Sequence, residues 1–155
     1  MRNRREAGLT LVEMLVVLAI IGIIGSAAVL GFGGAAGGAT VQAEAQRLAA
    51  SLERAADEAM VNDATLALSW DDLGYSVVRW NPDAKAWEPH LPGELGARHE
   101  LPAEIGLAAN AAEPPLRIGE PSRKGSAEFT LNSSDHAWSV RFDGLEAAVA
   151  PAPGG

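Results

Sequence analysis

A run of 22 residues, Leu9–Leu30, constrains this chain more than any other feature. It reads LTLVEMLVVLAIIGIIGSAAVL, is predominantly apolar and carries a single charged side chain, the carboxylate of Glu13. A helix rising about 1.5 Å per residue would carry it across roughly 30 Å, the thickness of a bilayer core. The preceding octapeptide, MRNRREAG, is short and basic, with Arg2, Arg4 and Arg5 against Glu6. Positive charge before the run and none for many residues after it predict a cytoplasmic N-terminus, with the bulk of the chain on the other side. A cleaved secretory signal fits less well. The apolar block is long for one, and Gly25, Ser26, Ala27 and Ala28 supply small residues but no A-x-A site. A plain membrane anchor leaves Glu13 unexplained. A carboxylate inside a membrane helix costs about 2.5–3.5 kcal/mol on insertion scales, which marks Glu13 as a functional residue.

The remainder of the chain excludes several functions. Formal charge is −8 overall, and because residues 1–8 are net positive, the rest is more acidic still. Phosphate neutralisation dominates nucleic-acid affinity, so no nucleic-acid partner is expected. Cysteine is absent, which removes a lipoprotein anchor, disulfides and thiolate metal sites. Packing alone must hold the C-terminal part together.

Gly8-Leu9-Thr10-Leu11-Val12-Glu13 followed by MLVVLAIIGII resembles the class III signal of type IV pilins and type II secretion pseudopilins. The resemblance implies that a membrane prepilin peptidase cuts after Gly8 and N-methylates Leu9, leaving Glu13 as the fifth mature residue. The family usually places Phe at the first mature position, where this chain has Leu9. Residues 9 and 13 share one helix face, and an amine and a carboxylate in lipid attract strongly. In the family, the glutamate of an incoming subunit pairs with the N-terminus of its neighbour, so Glu13 is the expected assembly residue.

Residues 31–40, GFGGAAGGAT, hold five glycines. Each disfavours helix by about 1 kcal/mol relative to alanine, so a hinge is expected here. Gly31 to Ala36 matches G-x-G-x-x-A, but a membrane run rather than a strand precedes it, which removes the nucleotide reading. Gly33/Gly37 and Gly34/Gly38 form small-xxx-small pairs able to admit a close helix. From Thr40, a suitable N-cap, Val41, Ala45, Leu48, Leu52, Ala55 and Ala59 recur at spacings of three and four. This predicts an amphipathic helix over 41–62, stopped at Asn62-Asp63 and packed on a sheet.

Thr65–Trp70 and Tyr75–Trp80 read as a hairpin turning at Asp71–Gly74. Trp87 begins a short extension, and 89–104 reads as a loop. Further short strands are expected at Ile105–Leu107, Leu116–Ile118, Ala127–Leu131, Trp138–Phe142 and Ala147–Ala150, with a tight turn at Asp143-Gly144. The expected organisation is thus a leader at 1–8, a membrane or filament-core helix at 9–30, a hinge at 31–40, the helix at 41–62, a periplasmic β domain at 63–150 and a disordered tail at 151–155. The fold class is α+β: a long N-terminal helix, broken at the glycines, packed on a β-sandwich-like antiparallel domain.

This half resembles the H-type minor pseudopilins, the group that also includes FimT-like minor pilins. The likeness rests on the helix leading into the Trp70 hairpin, on Leu101–Glu104, and on W-x-V-x-x-D-G-L at Trp138–Leu145. It implies a structural subunit of the periplasmic pseudopilus of a type II secretion system, without catalysis or cofactor. The implied partners are other minor and major pseudopilins, the prepilin peptidase, an inner-membrane assembly platform and membrane lipid. A minor pilin of a type IV pilus is the alternative within the superfamily. A membrane-anchored periplasmic enzyme or binding module is the alternative of another class, and it predicts a convergent polar site. None stands out. His90, His99 and His136 share no spacing and read as surface or structural residues. Ser133-Ser134-Asp135-His136 reads as a polar turn, since adjacent residues cannot form a triad. Asp71-Asp72 lacks the pattern of a calcium loop. Trp70, Trp80, Trp87 and Trp138 read as core or sheet-packing residues.

Overall fold

The computed structural model describes residues 40–90, 95–110, 113–119 and 126–152. All fall in the second of two units into which the chain divides, Gly37–Gly155. The octapeptide, the apolar run and the glycine-rich segment, with Gly8, Leu9 and Glu13, lie outside the described residues.

Helix α1 occupies 40–62. It contains no Gly or Pro, and alanine, leucine, glutamate and arginine fill most of its positions. Val41, Ala45, Leu48, Leu52, Ala55 and Ala59 are all buried, and Ala49 and Ala56 widen the stripe. Thr40 is already helical, so it does not stand outside the first turn as the expected cap. The predicted stop is real and has a mechanism. Asp63 adopts φ 49°, and the Ala64 N–H reaches back to the Ala59 carbonyl at 3.1 Å. This is the six-to-one bond of a Schellman ending, with Asp63 at the left-handed position that glycine or asparagine more often fills.

Two antiparallel sheets follow. The first comprises β1 (Leu66–Asp71), β2 (Gly74–Asn81), β3 (Ala86–Pro89), β4 (His99–Glu100) and β6 (Leu116–Ile118), in the order β3-β2-β1-β6, with β4 also paired to β2. The second comprises β5 (Gly106–Asn110), β7 (Ala127–Asn132), β8 (Ala137–Phe142) and β9 (Ala147–Pro151), in the order β5-β7-β8-β9. Period-two alternation aims one face of each sheet at the helix. Leu66, Leu68, Tyr75, Val77 and Ile118 come from the first; Leu107, Phe129, Leu131, Val140 and Phe142 come from the second. These residues form one core with the α1 stripe. Trp70 meets Phe129 edge-on, with ring centroids 5.1 Å apart, and so joins the sheets.

The turns follow their chemistry. Asp143 Oδ1 accepts the Leu145 and Glu146 N–H groups at 2.9 Å, and Gly144 takes φ 111° between β8 and β9. Ser133–His136 is the polar turn of the β7–β8 hairpin, closed by Ser133 N–H to His136 O at 2.8 Å.

Two expectations require correction. Segment 89–104 is not all loop. His90 N–H bonds to Val77 O at 3.3 Å, Val77 N–H to Leu95 O at 3.2 Å, and His99–Glu100 forms β4 against Gly74-Tyr75. The Gly74 position makes this possible, since a Cβ there would overlap the His99 carbonyl oxygen. The β2 edge is thus claimed by a segment whose proline and glycine content conceals it. The tail is also ordered further than expected. Pro151 pairs with Trp138, and Ala152 N–H bonds to Ala137 O at 3.0 Å. The register set at Asp143–Glu146 carries β9 to the start of β8, and an edge strand tolerates proline.

Candidate functional site

The helix meets the first sheet along a polar seam made by residues far apart in sequence. On α1, Glu44, Arg47, Ser51, Arg54 and Glu58 flank the buried stripe at helical spacing. Facing them are Tyr75 of β2, the returning segment 95–98, His99 of β4, and His90.

Two histidine–glutamate contacts hold the seam. His99 Nε2 lies 2.6 Å from Glu44 Oε2, and His90 Nε2 lies 2.8 Å from Glu58 Oε1. Glu44 and Glu58 are four helical turns apart on nearly the same face, so the clamps bracket most of the described helix. With the proton of His99 on Nε2 toward Glu44, its Nδ1 accepts from Arg47, 3.3 Å away. His90 is almost fully buried, and its Nδ1 has no partner. Both histidines are structural, as expected, but neither lies on a free loop. Their partners were hidden because Glu44 and Glu58 look like solvent-facing residues of an amphipathic helix. The one signal available was that each stands a single position away from a buried alanine, Ala45 or Ala59.

Between the clamps lies a recess of about 300 Å³, lined by Arg47, Ser51, Arg54, Tyr75, Arg98 and His99, among others. Arg98 is held from outside by Asp71, at 2.6 and 2.8 Å to its two oxygens. This bond, together with the Leu73 N–H, holds the Asp71 carboxyl below the usual carboxylate range. Asp71 therefore already has a cation, one supplied by the chain. The Tyr75 ring packs 5.1 Å from that of His99. Burial pushes the Tyr75 phenol up to about 12. Ser51 stands beside it, yet the hydroxyl finds no partner at hydrogen-bonding distance.

The other aromatic expectations divide. Trp70 and Trp138 pack against the core. Trp80 and Trp87 pair across β2 and β3, 5.4 Å apart, on the face turned away from the helix, where both are half-buried. Among the described residues, no group of three or more His, Asp or Glu side chains could hold a metal ion, and no helix is long and apolar enough to cross a membrane. Gly8, Leu9 and Glu13 lie outside these residues, so the seam and the N-terminal motif stand as separate features.

The prokaryotic N-terminal methylation motif matches residues 3–29, a range that contains Gly8, Leu9 and Glu13. Type II secretion system protein H of Aeromonas hydrophila is 27% identical over 108 residues, covering 70% of this chain and 59% of that protein. The protein of the same name from Pseudomonas aeruginosa is 33% identical over 86 residues, covering 56% of this chain and 50% of that protein. The chain thus spans little more than half the length of the curated relatives it matches. The solved structure of the minor pseudopilin EpsH, from the type 2 secretion system of Vibrio cholerae, superposes with a TM-score of 0.60 at 16% identity. The superposition covers 74% of this chain and 98% of that one. The chain therefore carries a prepilin-type methylation motif, is similar in sequence to H proteins of type II secretion, and shares the α+β fold of a minor pseudopilin.

Proposed function

We propose that this chain is a minor pseudopilin, a structural rather than catalytic subunit of the periplasmic pseudopilus of a type II secretion system. One coincidence carries the reading. A methylation motif at residues 3–29 precedes a domain with the fold of an H-type pseudopilin, and the relatives found by sequence bear the same designation. In this reading a prepilin peptidase cuts between Gly8 and Leu9 and methylates Leu9. The Leu9–Leu30 segment holds the subunit in the inner membrane, N-terminus inward and β domain in the periplasm, until an assembly platform moves it into the filament. The partners are other minor and major pseudopilins and, before assembly, lipid.

Glu13 has a physical role in this scheme. A lone carboxylate in hydrocarbon is unfavourable, and so is a lone ammonium; joining the Glu13 of one subunit to the N-terminal amine of another removes both penalties at a single axial register. The seam clamps suit a subunit that must keep its shape while its N-terminal segment changes surroundings, because they fix the helix to the sheet with polar bonds as well as apolar contact.

The test is mass spectrometry of the protein from cells with and without the prepilin peptidase. The expected mature species begins at methylated Leu9, and only the leader-bearing form persists without the enzyme. Glu13→Ala is expected to be cleaved normally and to fail incorporation into the pseudopilus. A functional protein that keeps its arginine-bearing leader would refute the proposal.

A further inference from the structure

β9 ends the strand order of the second sheet and carries none of the charged side chains that usually keep an exposed edge from pairing. Residues 147–151 read AAVAP, with Ala148, Ala150 and Pro151 exposed. The hydrogen bonds at its two ends show which backbone groups face outward. Asp143 N–H bonds to Glu146 O, and Ala152 N–H bonds to Ala137 O. With the register between them, Ala148, Ala150 and Ala152 turn their N–H and C=O groups toward β8, and Ala147, Val149 and Pro151 turn theirs away from it. Two of those three outward positions offer no donor. The Ala147 N–H donates to Glu53 Oε1 of α1 at 3.3 Å, and Pro151 has no N–H. The first closure comes from a helix side chain 94 residues earlier, the second from the strand itself.

The two closures meet in one geometry, the pairing of β9 with a second copy of itself. An antiparallel pair about a twofold axis at Val149 would set Val149 against Val149 and Ala147 against Pro151, on both sides of the axis. Three facing pairs at two bonds each make six backbone bonds. Two of them join the Val149 residues. Two need the Ala147 N–H to donate to Pro151 O, and Glu53 already holds that donor. The last two need an N–H at residue 151, and proline has none. A register shifted by two residues in either direction leaves fewer facing pairs, and each of those still meets a closed donor. The side chains that would face each other between the bonds are those of Ala148 and Ala150, which add no bulk to keep the copies apart. We infer that Glu53 and Pro151 together block edge-to-edge self-pairing of β9, leaving two bonds of the six. The negative charge of the chain also opposes self-association, but salt screens it, whereas the block acts at contact. The inference stands on the β9 ladder and does not depend on the secretion reading.

The test uses the full-length chain in a non-ionic detergent micelle. The parent, E53A, P151A and E53A/P151A are compared by sedimentation equilibrium. Each single change restores two bonds, and the double change restores four. Two net backbone bonds are worth at least about a factor of ten, so the dimer dissociation constant is expected to fall about tenfold in each single variant and about a hundredfold in the double. Glu53 and Pro151 are both exposed, so the far-ultraviolet circular dichroism is expected to stay unchanged, and each single variant tests the block separately. Cross-linking then locates the contact, since the chain has no cysteine of its own. In the twofold pairing Ala148 of one copy faces Ala150 of the other at about 4.5 Å between Cα atoms, within disulfide range. An oxidised mixture of A148C and A150C chains, both carrying E53A/P151A, is expected to give the mixed disulfide in preference to either homodisulfide, as read by mass spectrometry. The same mixture with Glu53 and Pro151 in place is expected to give little of it. Three results would each overturn the inference: a double variant that dimerises no more tightly than the parent, single variants that both match the parent, or a tighter dimer in which the homodisulfides prevail.

Discussion

Gly119→Ala tests how the helix end is seated on the sheets. Gly119 follows β6 and has φ 91°. Its N–H bonds to Gly144 O at 2.9 Å, which ties the end of the first sheet to the β8–β9 turn of the second. A Cβ placed there would lie 2.7 Å from the Ala59 Cβ in the last turn of α1. Two terms follow. A left-handed backbone costs a non-glycine residue about 1–2 kcal/mol, and φ 91° lies beyond the best of that region. Carbon atoms pack at about 3.5–4.0 Å, so nearly an ångström of separation must be found between parts of a close-packed core, at about 1–3 kcal/mol. The sum is about 3 kcal/mol, or roughly 10 °C in melting temperature for a domain of this size.

The two terms can be separated. Ala59→Gly removes the methyl group that Gly119→Ala strikes. Alone it costs about 1–2 kcal/mol, from lost helix propensity and a lost buried methyl. In the double variant the collision disappears while the backbone strain stays, so its destabilisation falls short of the sum of the two single losses by about 1–3 kcal/mol. Urea unfolding of the four proteins in one detergent measures this cycle. Additivity within about 0.5 kcal/mol would mean that these atoms do not meet, and the seating of the helix end described above would be wrong.

Two pH predictions follow from the perturbed groups. The folded-state pKa of Tyr75 is raised to about 12, so its stability contribution is complete below about pH 10 and is lost as pH climbs toward 12. Tyr75→Phe is therefore expected to flatten the alkaline limb of a stability–pH profile; an unchanged limb would show that the phenol is not the titrating group. The folded-state pKa of Asp71 is depressed, chiefly by its bond to Arg98, so its contribution is present above about pH 4 and fades as pH falls below that. Asp71→Asn is expected to remove part of the acid limb and leave the profile at pH 7–9 parallel to the parent's. Because the pair is exposed, the same change is expected to vanish in high salt, and persistence at 1 M NaCl would count against the Asp71–Arg98 assignment.

How far the sequence spoke depended on whether structure was local. The α1 stripe, the Asp63 stop, the Trp70 hairpin and the Asp143-Gly144 turn are all written in residues next to one another or one turn apart. The β4 strand was illegible because neither residue 99 nor residue 100 has a strand pattern. It exists because Gly74, twenty-five residues earlier, leaves room for it. The seam was illegible for the same reason. Glu44 and Glu58 meet histidines 55 and 32 residues away, and no spacing rule connects them. The N-terminal motif is the opposite case. Its meaning lies in a contiguous string, so its resemblance was readable before any coordinates.

The His90–Glu58 clamp shows why these distant pairs matter more than their number suggests. His90 is buried, its Nδ1 is already unpartnered, and Glu58 provides the only bond its ring makes among the described residues. Removing Glu58 alone therefore leaves a buried imidazole with neither nitrogen satisfied, and Glu58→Ala is expected to cost about 1–3 kcal/mol. Removing both polar groups need not. In His90→Leu/Glu58→Ala the site becomes apolar with similar bulk, and most of the loss is expected to return, because no donor or acceptor remains to be stranded. If the clamp instead acted mainly through net attraction, the double variant would stay as unstable as the single one. Urea midpoints for the three proteins decide between these. Recovery would identify the histidine–glutamate pair as a device that fixes where the helix sits against β2, since a wrongly seated helix would bury His90 without its acceptor. A double variant no more stable than Glu58→Ala would remove that argument.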